Sequence, residues 1–181
     1  MYTTDVVKKR MIDGVYDAEL TRLYPAGTID AQRKRYCRVI GEFEEFYGEG
    51  REAGLFSAPG RTEIGGNHTD HNHGRVLAAS VNLDAIAVAA KSEGTVVNVK
   101  SEGYAMDTVD ISDLKPHEKE FGKSRALVRG VCSEFKRRGY NVGAFDATTA
   151  SDVLSGSGLS SSAAFEVLLG TIVNHLFNDG K

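Results

Sequence analysis

The sequence has only two cysteines and three prolines in 181 residues. Cys37 and Cys132 are too few for a disulfide framework or a cysteine-based zinc site. Cys132 falls at the core-facing position of a helical pattern and should pack as a small hydrophobe. No apolar run approaches the ~18 residues of a membrane-spanning helix, and the N-terminus lacks the apolar core of a signal peptide. Basic charge is not in excess either. With 22 Lys and Arg against 25 Asp and Glu, the net charge of −3 argues against a nucleic-acid binder driven by general basicity. Internal repeats and low-complexity tails are absent. These absences leave a cytoplasmic globular protein whose partners are small molecules, with neither nucleic acid nor membrane among them. The chain is long enough for one well-packed domain, on a prior of about 100–200 residues per domain.

What the sequence does have is concentrated in two stretches. The first is Ser155-Gly156-Ser157-Gly158-Leu159-Ser160-Ser161-Ser162-Ala163-Ala164. Two glycines permit positive φ and close approach of backbone to a ligand. The chain then becomes apolar and helix-forming without a break, with Leu159, Ala163, Val167 and Thr171 on one face and Leu168, Ile172 and Phe177 widening it. Free amides at a helix start that carries partial positive charge suit a phosphate. The alternatives are a linker or a plain serine N-cap. A Walker A loop is excluded, because no Gly-Lys-Ser/Thr follows the glycines.

Around this stretch the pattern predicts α+β architecture in one domain. Residues 4–24 read as a charged helix that Gly14 weakens, and residues 31–47 read as a second helix capped by Asp30. Leu55–Ala58 reads as a short strand stopped by Pro59-Gly60. Strands are expected at 76–81 and 85–90 with Asn82-Leu83-Asp84 between them, then at 95–100, at the edge over 103–113, and at 142–153. Residues 116–124 form a charged connector. Ala126–Arg138 is a helix with Leu127, Val128, Val131, Cys132 and Phe135 as its stripe. The first 50 residues form a helical N-terminal extension with no sign of chemistry, and residues 51–181 form the main domain.

The second informative stretch runs from Ser57-Ala58-Pro59-Gly60-Arg61 to Gly66-Asn67-His68-Thr69-Asp70-His71-Asn72-His73-Gly74. Three histidines within six residues, with Asp70, allow a metal site, although no cysteine or further ligand pair accompanies them. A solvated turn is the plain alternative. A third reading is recognition of a polyol, whose hydroxyls both donate and accept, by Asp, Asn and His side chains. Arg61, beside a Pro-Gly turn, offers a planar charge to a phosphoryl group or a carboxylate. An ion pair with Glu63 is its structural alternative.

Together the two stretches resemble the galactokinase family of the GHMP small-molecule kinases. Ala58-Pro59-Gly60-Arg61 with Gly66-Asn67-His68-Thr69-Asp70 is similar to the galactokinase signature, and Gly156–Ala164 is similar to the GHMP nucleotide motif almost residue for residue. The resemblance covers about Leu55 to Phe177. It implies a GHMP-kinase N-terminal domain (the ribosomal protein S5 domain 2-like fold), a mixed sheet packed on helices. It implies transfer of the ATP γ-phosphate to the C1 hydroxyl of galactose, with ATP and Mg²⁺ bound. Arg61 matches the arginine that stabilises the transition state, and Asn67, His68, Thr69 and Asp70 match the sugar-binding segment. Gly156, Ser157, Gly158, Leu159, Ser160, Ser161 and Ser162 match the ATP-phosphate loop, and Ser162 matches the serine on magnesium. Two positions depart: Asn67 stands where the family has glutamate, which removes a charge and adds donors, and Leu154 stands where it has proline.

The family pattern continues well past Lys181. The general-base aspartate, a second magnesium carboxylate and a third Gly-rich motif are expected there. The expectation is therefore an N-terminal portion of a sugar kinase with little turnover alone and with exposed apolar surface that promotes self-association. A non-catalytic sugar and nucleotide sensor is the reading from another functional class, and a related sugar kinase with altered specificity is the other alternative. A kinase for mevalonate or homoserine fits less well, because such relatives share the Gly/Ser turn but not the His-Thr-Asp segment.

Overall fold

A computed structural model describes residues 1–66, 69, 72–154 and 156–181. In chain order the elements are β1 (Tyr2–Thr3), α1 (Thr4–Ile12), α2 (Asp17–Leu23), α3 (Ile29–Tyr47), β2 (Glu52–Gly65), β3 (Leu77–Lys91), β4 (Val96–Ser101), β5 (Asp107–Asp110), α4 (Ser124–Arg137), β6 (Phe145–Ser151) and α5 (Ser161–Phe177). Six strands form one mixed sheet in the order β1-β2-β3-β6-β4-β5. The β4–β6 pair is parallel and the other pairs are antiparallel.

The sheet is covered on both faces, and β3 shows how its sequence does this. Residues 84–90 are all buried, and from Ala85 the segment reads as continuously apolar, as expected for a strand without a solvent face. Alternation then sorts the side chains. Ala85, Ala87 and Ala89 join Ala147, Val97 and Val99 in a core with Leu168, Leu169, Ile172 and Val173 of α5. Ile86, Val88 and Ala90 join Ala150 in a second core with Met11 of α1 and Val39, Ile40 and Phe43 of α3. One face thus carries alanines that admit α5 closely, and the other carries larger side chains.

Several boundaries differ from the sequence expectation, each for a local reason. The first helix is two helices, broken at 13–16, where Gly14 takes φ +74°. The next helix starts at Ile29, so Asp30 lies in its first turn and is not its cap. Pro59-Gly60 does not end the strand: β2 continues to Gly65 with a register irregularity between Pro59 and Arg61. Proline is tolerated there because β1 pairs only with Glu52 and Ala53, leaving β2's outer edge unpaired at Pro59. Asn82-Leu83-Asp84 is likewise not a break, and β3 is one 15-residue strand.

The buried face of α5 also differs. Ala164, Leu168, Leu169, Ile172, Val173 and Leu176 face the sheet, whereas Ala163 is exposed and Val167 is 57% exposed. This helix is apolar on most sides, so periodicity could not choose between neighbouring rows; the alanine face of the sheet did.

Candidate active site

The strand β6 delivers the chain into the Gly/Ser loop, and the loop's geometry follows from its residue types. Gly156 and Gly158 have φ of +79° and +77°, where a side chain is strained. Ser157 fastens the turn by donating its hydroxyl to the Leu154 carbonyl at 2.7 Å. Ser160, which precedes α5, takes left-handed backbone angles of 60° and 55° and makes no side-chain cap to the helix. The first helical bond runs from the Ala164 amide to the Ser160 carbonyl at 3.0 Å. The amides of Ser161, Ser162 and Ala163 therefore precede the helical ladder, at the positive end of a 17-residue helix. An anion is the complement of such an end.

The Pro59–Arg61 turn lies against this loop. The Arg61 amide donates to the Leu159 carbonyl at 3.0 Å, and the Arg61 guanidinium donates to Ser160 Oγ at 3.2 Å. Arg61 thus turns to the loop, not to Glu63. Gly60 favours the close approach: a Cβ there would meet Val153 at 3.1 Å and the Leu159 carbonyl at 3.2 Å, tighter than ordinary contact. Two motifs 99 residues apart are joined through backbone and side chain.

Next to the loop lies a cleft of about 700 Å³. Its walls include Tyr104, Leu127, Val153 and Phe165, and Ser161 and Ser162 stand at one end of it. The parallel pairing of β4 with β6 creates it, because both strands end at the same side. Acidic groups on its lining are already compensated: Glu102 accepts from Arg38, and Asp107 accepts from Arg125 at 3.2 Å. Lys123 and Gly122 form part of its rim. Their connector is held by Arg129 of α4, whose guanidinium donates twice to the Glu120 carboxylate at 2.7 Å and to the Asp110 carbonyl at 2.8 Å. Hydrogen bonding from Arg129 holds the Glu120 carboxyl below its usual range.

Of the sugar-segment residues, Asn67, His68 and Asp70 lie outside the described residues. Thr69 donates its hydroxyl to the Gly66 carbonyl at 2.7 Å, and its own carbonyl accepts from the amides of Asn72 and Gly74 at 3.0 and 2.7 Å. Among the described residues, no group of three or more His, Cys, Asp or Glu is placed to hold a metal. Ser162 contributes one hydroxyl at the helix start, which by itself is not a magnesium site.

Sequence reading missed two parts of this region. The cleft walls on the 101–107 segment reach α5 only through the β4–β6 pairing, which no local pattern signals. The other part is a buried polar cluster behind the Pro59 turn. Asp84, opposite Pro59, is 3% exposed and accepts from Ser57 Oγ, from Tyr24 Oη at 2.5 Å and from Arg35 at 2.6 Å. Burial, reinforced by the neighbouring tyrosine, pushes the Tyr24 hydroxyl far up, and burial pushes Tyr36 up to about 12. Both are neutral donors or acceptors at any ordinary pH. A charged residue next to the apolar run Ala85–Ala90 is the available signal.

Comparison with known proteins identifies relatives of this chain. The galactokinase galactose-binding signature matches residues 41–91, and the GHMP kinases N terminal domain matches residues 126–181. The galactokinase of Clostridium tetani is 36% identical over 141 residues, which cover 77% of this chain and 35% of that protein. That of Lactococcus lactis is 34% identical over 139 residues, 76% of this chain and 35% of the relative. The chain spans about a third of the length of these relatives. The crystal structure of Lactococcus lactis galactokinase complexed with galactose superposes with a TM-score of 0.70 at 30% identity, over 76% of this chain and 36% of that one. A Methanococcus jannaschii mevalonate kinase, at 12% identity and a TM-score of 0.57, shares the fold. With both signatures in order and the Pro-Gly-Arg turn docked on the Gly/Ser loop, the chain belongs to the galactokinase family of GHMP kinases.

Proposed function

We propose that this chain is the ATP- and sugar-gripping portion of a galactokinase, which transfers the ATP γ-phosphate to the C1 hydroxyl of galactose. The observation that carries the reading is the docking of Arg61 on the Gly/Ser loop through Leu159 and Ser160. It puts a fixed guanidinium beside amides suited to phosphate, and phosphoryl transfer depends chiefly on positioning and charge neutralisation.

In this reading the amides at the start of α5, with Gly156, Ser157, Gly158, Leu159, Ser160 and Ser161, cradle the phosphates. The nucleoside occupies the neighbouring cleft, whose apolar walls suit a base. Arg61 faces the transferred group, where its fork can bind oxygens in a bidentate manner. Asn67, His68, Thr69 and Asp70 face the sugar. The Ser162 hydroxyl would be one ligand for a magnesium ion arriving with ATP, which would supply neutralisation of phosphate charge. The chain's own residues do the holding and orienting. The domain from 51 to 181 is then the catalytic N-terminal part, with residues 1–50 as its extension, and the protein acts in the cytoplasm. Among the described residues no helix is long and apolar enough to cross a membrane.

Calorimetric titration of the 181-residue chain with ATP tests the proposal, alongside an ADP-release assay with galactose. The expected result is ATP binding that Gly158→Val abolishes, with little turnover by the chain alone. No ATP binding at millimolar concentration would remove the proposal, and robust turnover would remove the expectation that this portion is inactive by itself. A sensor of sugar and nucleotide on the same fold is favoured by one feature, the amide of Asn67 in place of a glutamate. Sugar binding without ATP consumption, measured on the longest form of the protein across a panel of sugars, would select it.

A further inference from the structure

The polar cluster behind the Pro59 turn joins three parts of the fold that the phosphate site needs in register. Arg35 lies on α3, outside both matched family regions at 41–91 and 126–181. Its side chain is 9% exposed. One nitrogen donates to the Asp84 carboxylate at 2.6 Å and is 3.2 Å from the Asp152 carboxylate; the other donates to the Asp84 carbonyl at 2.9 Å. Asp84 is paired with Pro59 across β2 and β3, two residues ahead of Arg61. Asp152 follows the end of β6, and its amide donates to the Asp84 carbonyl at 2.9 Å. The next residue, Val153, packs on Gly60 and leads into the Gly/Ser loop. A single guanidinium therefore ties the strand that backs the Pro59–Arg61 turn to the strand exit that feeds the loop.

We infer that Arg35 is a positioning residue for the phosphate site: by clamping Asp84 to Asp152 it sets the separation of the Pro59–Arg61 turn from the Gly156–Ser162 loop. The role rests on the reading of that loop as the nucleotide cradle. Arg35 itself touches neither Arg61 nor the α5 amides. Its fork geometry matters, because two acceptors of Asp84 and one of Asp152 are engaged at once, which a lysine's point charge cannot reproduce. The helical layer, without site residues of its own, thereby acts on the site from the opposite face of the sheet.

The test uses the 181-residue chain and three variants, with two readouts. Asp152→Asn is the main variant, because Asp152 is 46% exposed and its replacement leaves no buried charge unpaired. Asp152→Glu is the conservative rescue. Arg35→Lys removes the fork but keeps the charge. Hydrogen exchange of peptides covering 153–162 is compared with peptides covering α4, and ATP affinity is measured by calorimetry. For Asp152→Asn we expect exchange in 153–162 to accelerate about threefold to fivefold, with α4 unchanged and the melting transition nearly so, as for loss of one partly exposed ion pair felt locally. ATP binding should weaken by a similar factor. Asp152→Glu should recover both, and Arg35→Lys, where it folds, should exceed Asp152→Asn. Unchanged loop exchange in folded Asp152→Asn overturns the inference, as does equal acceleration in α4, which would mark a general loss of stability. Absence of ATP binding by the unsubstituted chain would defeat the nucleotide reading instead, and the exchange comparison would still decide the positioning role.

Discussion

The two helical layers on either side of the sheet hold it by different physics. On the α4–α5 side the contact is apolar: α5 lays Leu168, Leu169, Ile172 and Val173 onto sheet alanines and valines. On the α1–α3 side an apolar core around Val39, Ile40 and Phe43 is joined by a buried charge cluster of Arg35, Asp84, Tyr24 and Tyr36. Apolar contact is non-directional and tolerates small rotations. A buried ion pair is directional, because its partners must meet all their hydrogen bonds or leave a charge stranded. The first layer supplies stability and carries the loop; the second fixes where the loop sits.

This contrast is broken most strongly at its polar end. Arg35→Met leaves Asp84 buried without its cation and should cost about 3–5 kcal/mol, read from urea denaturation. A change under 1 kcal/mol would show that the cluster is solvated in solution. On the other side, Ala87→Val adds bulk where α5 lies close and should cost about 1–3 kcal/mol by overpacking. A neutral result there would mean that the alanine face is not tightly packed.

Acid sharpens the comparison further. Arg129 holds the Glu120 carboxyl below its ordinary value of 4.5, chiefly by hydrogen bonding. A depressed folded value means that the pair's stabilisation is complete above about pH 4.5 and is lost as pH falls through the lower folded value. Melting temperature against pH should decline below that point, and Arg129→Met should flatten the decline. Smallest of all is the surface pair on α4. Glu134 is held down to about 2 by Arg137 and then Arg138, yet those arginines are more than 60% exposed. Solvent screens such pairs, so Glu134→Ala should leave the denaturation midpoint unchanged within error, and a clear shift would contradict this.

Much of this was legible along the chain. The Gly/Ser turn, the helix after it and the Arg61 turn each follow from local rules: glycine where φ is positive, free amides at a helix start, and a small residue where backbones meet. The β4 alternation and the stripe of α4 were equally plain. What misled were polar or proline residues inside strands. Pro59-Gly60 reads as a strand stop because the pair marks turns, and Asn82-Leu83-Asp84 reads as a break between two strands; within strands the proline's missing donor and the buried carboxylate each carry a cost. Both costs are met by distant groups, an unpaired sheet edge and the Arg35 guanidinium.

The sequence by itself determined the positive-φ glycine loop and the charge carried at Arg61, since the conformation of a glycine loop and the charge of an arginine are local properties. Only the tertiary structure decided which face of α5 is buried, that Arg61 meets Ser160 across 99 residues, and that Asp84 is a joint between layers. Those outcomes depend on the pairing of β6 with β3 and β4. No short-range pattern encodes that pairing, because the free energy that selects it comes from burying both faces of the whole sheet at once.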